Sequence, residues 1–173
     1  MAIDAAAIVH DGGETGDMLL VRVLTRLGQQ KLKLRGLITW RGKDPEGKLP
    51  MLIRDIHTDI LYPISQELGS GSKSCSLDPG ALLNASHVLQ KALHDAPDLV
   101  LINRFGGMEA CGRGFASDLL NLMMANIPVL TVVSPQYQEK WLEFTGHEGR
   151  LLPLDSDVIF DWALSTRYQE AHA

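Results

Sequence analysis

The chain reads as an α/β protein with a mostly parallel sheet and a β-hairpin at one edge. Short apolar runs alternate with longer stretches of helical periodicity along its 173 residues, the rhythm of strand–helix–strand units. DLVLIN (98–103) and IPVLTVVS (127–134) are apolar on both alternating faces, as strands covered on both sides are. One further pair of apolar runs, MLIRDI and ILYPI, is separated only by a polar turn.

In chain order, Ile3 to Val9 is apolar and small apart from Asp4 and predicts a first buried strand. HDGGETG follows, and then Leu19, Leu20, Val23, Leu24 and Leu27 recur at helical spacing. LRGLITW (34–40) predicts a second strand, leading into the polar loop RGKDPEGK. Met51 to Ile64 predicts the hairpin, with His57, Thr58 and Asp59 in its turn and Pro63 marking the second arm as an edge strand. SQELGSGSKSCS (65–76) is a Gly/Ser-rich loop. Asp78 then suits an N-cap with Pro79 at the first helical position, opening a helix that buries Leu82, Ala85, Val88, Leu89 and Ala92.

After DLVLIN, a glycine-rich stretch enters a helix near Gly114 that buries Phe115, Leu119, Leu122 and Met123 and closes at Asn126. IPVLTVVS is the last long strand. Two C-terminal helices, Gln136 to Phe144 and Asp155 to Tyr168, complete the chain. No internal repeat and no linker interrupts the pattern, so a single domain over 1–173 is expected.

Composition narrows the class. A chain that is 45% hydrophobic and 21% charged folds rather than staying disordered. A net charge of -5 excludes bulk binding to nucleic acid. No apolar run reaches the roughly 18 residues of a membrane span, and MAIDAAAIVHDGG carries no basic n-region. With only Cys75 and Cys111, no disulfide framework is expected, and a reducing cytoplasm is the expected setting. The two cysteines without nearby His, and six scattered histidines, point to no metal site. The sequence leaves oligomeric state open, a homo-oligomer included.

Three loops are candidates for chemistry. Asp11, Gly12, Gly13, Glu14, Thr15, Gly16, Asp17 and Met18 join a strand to a helix, as a phosphate-binding loop does. A nucleotide-binding version needs Lys and Ser/Thr where Asp17 and Met18 stand, and Asp11 and Glu14 add negative charge. His10, Gly12 and Gly13 are therefore secondary candidates, and a plain glycine turn is the competing reading.

INRFGGMEACGRG (102–114) leaves a strand end with glycines at 106, 107, 112 and 114 and arginines at 104 and 113. Magnesium chemistry would want acids at the strand end, where Asn103 and Arg104 stand instead. Arg104 and Arg113 are donors suited to an oxyanion, and Gly112, Arg113 and Gly114 are expected to turn backbone amides toward a crevice beyond the strands. Alternatively the glycines serve tight turns and the arginines pair with Glu109 or lie in solvent. Glu109 and Cys111 are secondary candidates. In the third loop, Ser70, Gly71, Ser72, Lys73, Ser74 and Cys75 offer hydroxyls, amides and one cation that would enclose a tetrahedral anion; a solvated loop is the alternative.

DLVLINRFGGMEACGRGF, with PISQELGSGSKSCSLDPGAL upstream and NIPVLTVVSPQYQEKWLEF downstream, resembles the bacterial domain-of-unknown-function 2478 family over most of the chain. That family looks like a distant relative of the small P-loop nucleoside-triphosphatases, which implies a three-layer fold of P-loop type. Gly107-Met108-Glu109 is similar to the Gly-x-Met-Glu that follows an Asp-Glu pair in those enzymes, and Asn103 and Arg104 depart from the pair. Family members tend to be encoded near molybdate-transport genes, which implies molybdate or tungstate as ligand. The expectation is a non-catalytic protein with degenerate Walker motifs that binds a small inorganic oxyanion for storage, buffering or delivery, with no organic cofactor. The alternative is a nucleoside-triphosphatase in which Glu109 or His10 takes over an acidic role.

Overall fold

The helix-forming and strand-forming segments fold around one seven-stranded sheet. The computed structural model describes residues 3–10, 14–40, 52–64 and 78–170. The strands are β1 (Ala5–Val9), β2 (Leu34–Trp40), β3 (Leu52–Asp55), β4 (Leu61–Pro63), β5 (Leu99–Phe105), β6 (Val129–Val133) and β7 (Arg150–Leu152), arranged β4-β3-β2-β5-β6-β1-β7. Only β3 runs against its neighbours, so the sheet is parallel with a hairpin at one edge, as expected. His57 and Thr58 turn that hairpin, with Asp55 accepting from the His57 amide and the Thr58 hydroxyl. Pro63 sits on the edge strand β4, where its missing N–H costs no ladder bond.

The helices are α1 (Glu14–Gln29), α2 (Pro79–Asp95), α3 (Gly107–Ala110), α4 (Ala116–Met124), α5 (Gln138–Phe144) and α6 (Ser156–Glu170). They cover both faces, giving three layers. On one face Leu82, Ala85, Val88, Leu89 and Ala92 of α2 pack with Phe115, Leu119, Leu122 and Met123 around α4 and with Trp141 of α5. On the other, Leu20, Val23 and Leu27 of α1 pack with Ile159, Trp162 and Ala163 of α6. Strand residues alternate between these cores: Ala5, Ala7, Val100 and Ile102 join the first, and Ala6, Ile8, Leu99 and Leu101 the second.

Local chemistry sets several boundaries. Asp78 caps α2 by accepting from the amides of Gly80 and Ala81. Asn126, with φ of 56°, ends the α4 segment in the left-handed conformation. Asp155 accepts from the amides of Asp157 and Val158 at the start of α6. Gly36 must be glycine: its φ is 128°, and a Cβ there would lie 1.9 Å from the Leu101 carbonyl oxygen.

Four features differ from expectation. β1 begins at Ala5, and Ile3 and Asp4 precede it. β7 adds a parallel strand beside β1; its three residues are too short to show periodicity, and only pairing with an open edge makes them a strand. The segment after β5 folds a separate short helix, α3, before α4 starts at Ala116. The expected helix from Gln136 opens instead with a 3-10 turn over Pro135–Tyr137.

Asp118, in the first turn of α4, is buried between α2 and α4, where both its carboxylate oxygens accept from the Ser86 hydroxyl. Burial pushes its carboxyl above the ordinary range, and the Ser86 hydrogen bond opposes that rise only in part. A carboxyl with a raised folded pKa costs no stability while protonated in both states. A penalty then develops as pH climbs past the unfolded value and through the folded one. Asp118→Asn keeps an acceptor for Ser86 and removes the charge. Urea denaturation from about pH 4 to about pH 8 is expected to show the variant's stability relative to wild type rising with pH; a pH-independent difference would contradict this.

Candidate functional site

The connections locate a crevice. The helix after β1 lies on one face of the sheet and the helix after β6 on the other, although β1 and β6 are neighbours. Such a switch point opens a cleft outside the carboxyl ends of the strands. His10 follows β1 there, its amide donating to the Val133 carbonyl at 2.9 Å, and Ser134 follows β6.

β5 contributes the charged edge through an irregularity. Ile102 pairs with Thr131 and Phe105 with Val133, so three steps along β5 match two along β6. This bulge returns Phe105 to the same core as Ile102, and its ring packs edge-on to Trp141 with centroids 5.4 Å apart. The two residues between are displaced from regular alternation. Asn103 is half-buried, and its side-chain amide donates to the Thr39 hydroxyl on β2. Arg104 is exposed at the mouth of the crevice.

Arg104 borders two cavities. The smaller, about 10 Å³, lies under the first turn of α1 among His10, Gly16, Asp17, Asn103 and Arg104. It has room for about one water. The His10 ring fills the rest: a Cβ on Gly16 would lie 2.6 Å from it. The larger, about 450 Å³, is an open cleft between Arg104, Gly106 and Gly107 on one side and Ser134, Pro135, Gln136 and Tyr137 on the other. A Cβ on Gly107 would stand 2.8 Å from the Tyr137 hydroxyl oxygen.

The loop after α3 corrects the sequence reading. The amide of Gly112 donates to the Glu109 carbonyl and that of Arg113 to the Met108 carbonyl, so neither turns to the crevice. Gly114 has φ of 56°, and a Cβ would lie 2.2 Å from Glu109 Oε1; that contact is why the position is glycine. Arg113 is exposed and borders neither cavity. Glu109 is buried, and it neither pairs with an arginine nor faces the crevice as a free acid. Its Oε2 accepts from the Gly106 amide at 3.0 Å and its Oε1 from the Phe115 amide at 3.1 Å. The carboxylate thus staples the N-cap of α3 to the N-cap of α4. Among the described residues neither Arg104 nor Arg113 forms an ion pair.

Cys111 is exposed in that same loop. Gly12, Gly13, Ser70, Gly71, Ser72, Lys73, Ser74 and Cys75 lie outside the described residues. The chain enters the 65–77 segment from Ile64, beyond the end of β4, on the same end of the sheet as the crevice and three strands from β5. Its far end is set by Asp78, whose amide donates to the Ile64 carbonyl at 2.8 Å. Among the described residues no group of three His, Cys, Asp or Glu side chains is placed to hold a metal, and no helix is long and apolar enough to cross a membrane.

Sequence reasoning missed Tyr137, Gln136 and Ser134. Gly107, three residues after Arg104, was the available signal, because it marks a close approach, but nothing in the sequence says what approaches.

The family model described as "Protein of unknown function (DUF2478)" matches residues 5–162. The chain belongs to that family. It is 35% identical over 158 residues to a protein named molybdenum import ATP-binding protein ModC 2 from Bradyrhizobium diazoefficiens; the match takes in 91% of this chain and 18% of that protein. This DUF2478 chain therefore spans less than a fifth of that relative's length. Its fold is that of two solved structures: a human cancer-related nucleoside triphosphatase (TM-score 0.67, 14% identity, 98% of this chain and 99% of the other) and THEP1 from Aquifex aeolicus (TM-score 0.68, 17% identity, 93% and 97%). The P-loop-type α/β architecture is thus shared.

In this DUF2478 chain Glu109→Gln leaves one oxygen for two backbone donors and turns an NH2 toward one of them. A buried amide without its acceptor costs about 1–3 kcal/mol. Urea denaturation is expected to show a loss of that size, and an unchanged midpoint would refute the staple.

Proposed function

We propose that the protein binds a small oxyanion, molybdate or tungstate, at the crevice and holds it for storage, buffering or delivery without turning it over. The observation that carries this reading is Arg104. The bulge in β5 presents its guanidinium at the strand end beside a cleft of about 450 Å³, with no ion-pair partner among the described residues. A guanidinium is weakly hydrated and offers paired donors, which suits it to a tetrahedral oxyanion. The cleft takes the anion; the space beneath α1 does not, because His10 leaves it about 10 Å³.

The choice of molybdate or tungstate draws on the relative named as a molybdenum import ATP-binding protein. In this reading Ser70, Ser72, Lys73 and Ser74 add donors from the loop that starts on the crevice side of the sheet, and Asn103 keeps the bulge in register through Thr39.

A nucleoside-triphosphatase is the second reading, favoured by the fold shared with such an enzyme. Against it stand Asp17 and Met18 where a nucleotide loop needs Lys and Ser/Thr, and Asn103 and Arg104 where magnesium needs acids. Of the two residues considered for an acidic role, Glu109 has both oxygens occupied by backbone amides, which turns the second reading to His10.

Calorimetry with molybdate, tungstate, sulfate and phosphate separates these readings. Molybdate or tungstate is expected to bind, with Arg104→Gln weakening it by about tenfold or more, the loss of one charge-assisted contact. No heat from any of the four anions would overturn the oxyanion reading. Magnesium-dependent phosphate release from ATP or GTP that His10→Ala abolishes would establish the second.

A further inference from the structure

The cleft beside Arg104 is larger than the anion proposed for it. Four oxygens around a centre displace on the order of four water volumes, ~120 Å³ at about 30 Å³ each. The cleft holds about 450 Å³, within the range of roughly 300–1,000 Å³ typical of small organic ligands. Its lining is also uneven. Among the described lining residues Arg104 is the one that carries charge, and the others, Ser134, Pro135, Gln136, Tyr137, Gly106 and Gly107, are neutral.

One close approach shapes that space: Gly107 has no side chain, and a Cβ there would stand 2.8 Å from the Tyr137 hydroxyl oxygen. Tyr137 is itself fixed: its amide donates to the Ser134 carbonyl at 2.9 Å, and its half-buried ring packs on the core containing Phe105 and Trp141. The cation thus comes from β5 and the ring from the turn that follows its neighbour β6, held by a common core.

We infer that the cleft is a binding site for a small organic molecule carrying one oxyanionic group, the anion on Arg104 and a flat organic body against Tyr137. Arg104, the one cation among the described lining residues, matches a phosphate, carboxylate or other oxyanionic head. An aromatic wall with neutral hydrogen-bonding groups suits a planar body with polar edges. The inference rests on the reading that Arg104 anchors an oxyanion, and extends it from the bare ion to the class of molecule that bears it.

Calorimetry with phenyl phosphate, methyl phosphate, inorganic phosphate and molybdate tests it on the intact chain. Phenyl phosphate is expected to bind about tenfold more tightly than methyl phosphate, the size of one aromatic contact. Tyr137→Ala is expected to erase that difference, and Arg104→Gln to weaken all the ligands that bind. Tyr137→Leu keeps apolar bulk in the turn and is expected to lose most of the preference too, which guards against a folding defect in the alanine variant. Equal affinity for phenyl and methyl phosphate, or a preference that survives both Tyr137 variants, overturns the inference. If molybdate binds through Arg104 and phenyl phosphate shows no advantage, the inference alone falls. If phenyl phosphate binds through Arg104 and Tyr137 while molybdate does not, the bare-oxyanion reading alone falls.

Discussion

Ile102 and Phe105 stand three residues apart on one strand and bury their side chains in the same core, and the crevice is organised around that fact. A regular strand would send Phe105 to the opposite face from Ile102. Edge-on contact with Trp141 and a tilted contact with Phe144, centroids 5.1 Å apart, hold Phe105 where it is. The extra residue must then be absorbed as a bulge, which re-aims Asn103 and Arg104. Asn103 turns to Thr39 on β2 and Arg104 to the mouth of the cleft. A hydrophobic anchor thereby sets the position of a charge.

The stretch from Gly106 to Phe115 extends this arrangement. Glu109 looks from its chemistry like a catalytic acid, yet its two oxygens hold the backbone at the start of α3, a four-residue helix too short to be stable by itself, and at the start of α4. Gly114 accepts the left-handed backbone that brings the carboxylate close. The glycines that make the sequence resemble a ligand loop thus divide by role. Gly114 accommodates an internal carboxylate, and Gly107 accommodates a tyrosine that borders open space. A glycine records a close approach without recording what makes it.

Much of the fold was legible because strand and helix periodicities survive without tertiary context. LRGLITW, the hairpin turn at His57 and Thr58, the Asp78 cap and the buried face of α2 each follow from residues within a few positions of one another. β7 was not legible, since three residues carry no period and the open edge of β1 makes them a strand. The 112–114 segment resembles a source of free amides in sequence, because nothing local reveals that the Met108 and Glu109 carbonyls take two of them.

The sequence by itself determined the class of fold, the arginine near the end of the fifth strand, and the residue types Asp17, Met18 and Asn103 in two of the candidate loops. These are local properties: propensity, periodicity and the charge of a side chain at a known place in an element. Tertiary structure decided which groups share the crevice. Arg104 and Tyr137 are separated by more than thirty residues and meet only because β5 and β6 are adjacent. Arg113, nine residues from Arg104, borders neither cavity because a buried carboxylate folds the intervening chain back on itself. Proximity along a chain and proximity in space part company wherever a buried polar group spends its hydrogen bonds on the backbone.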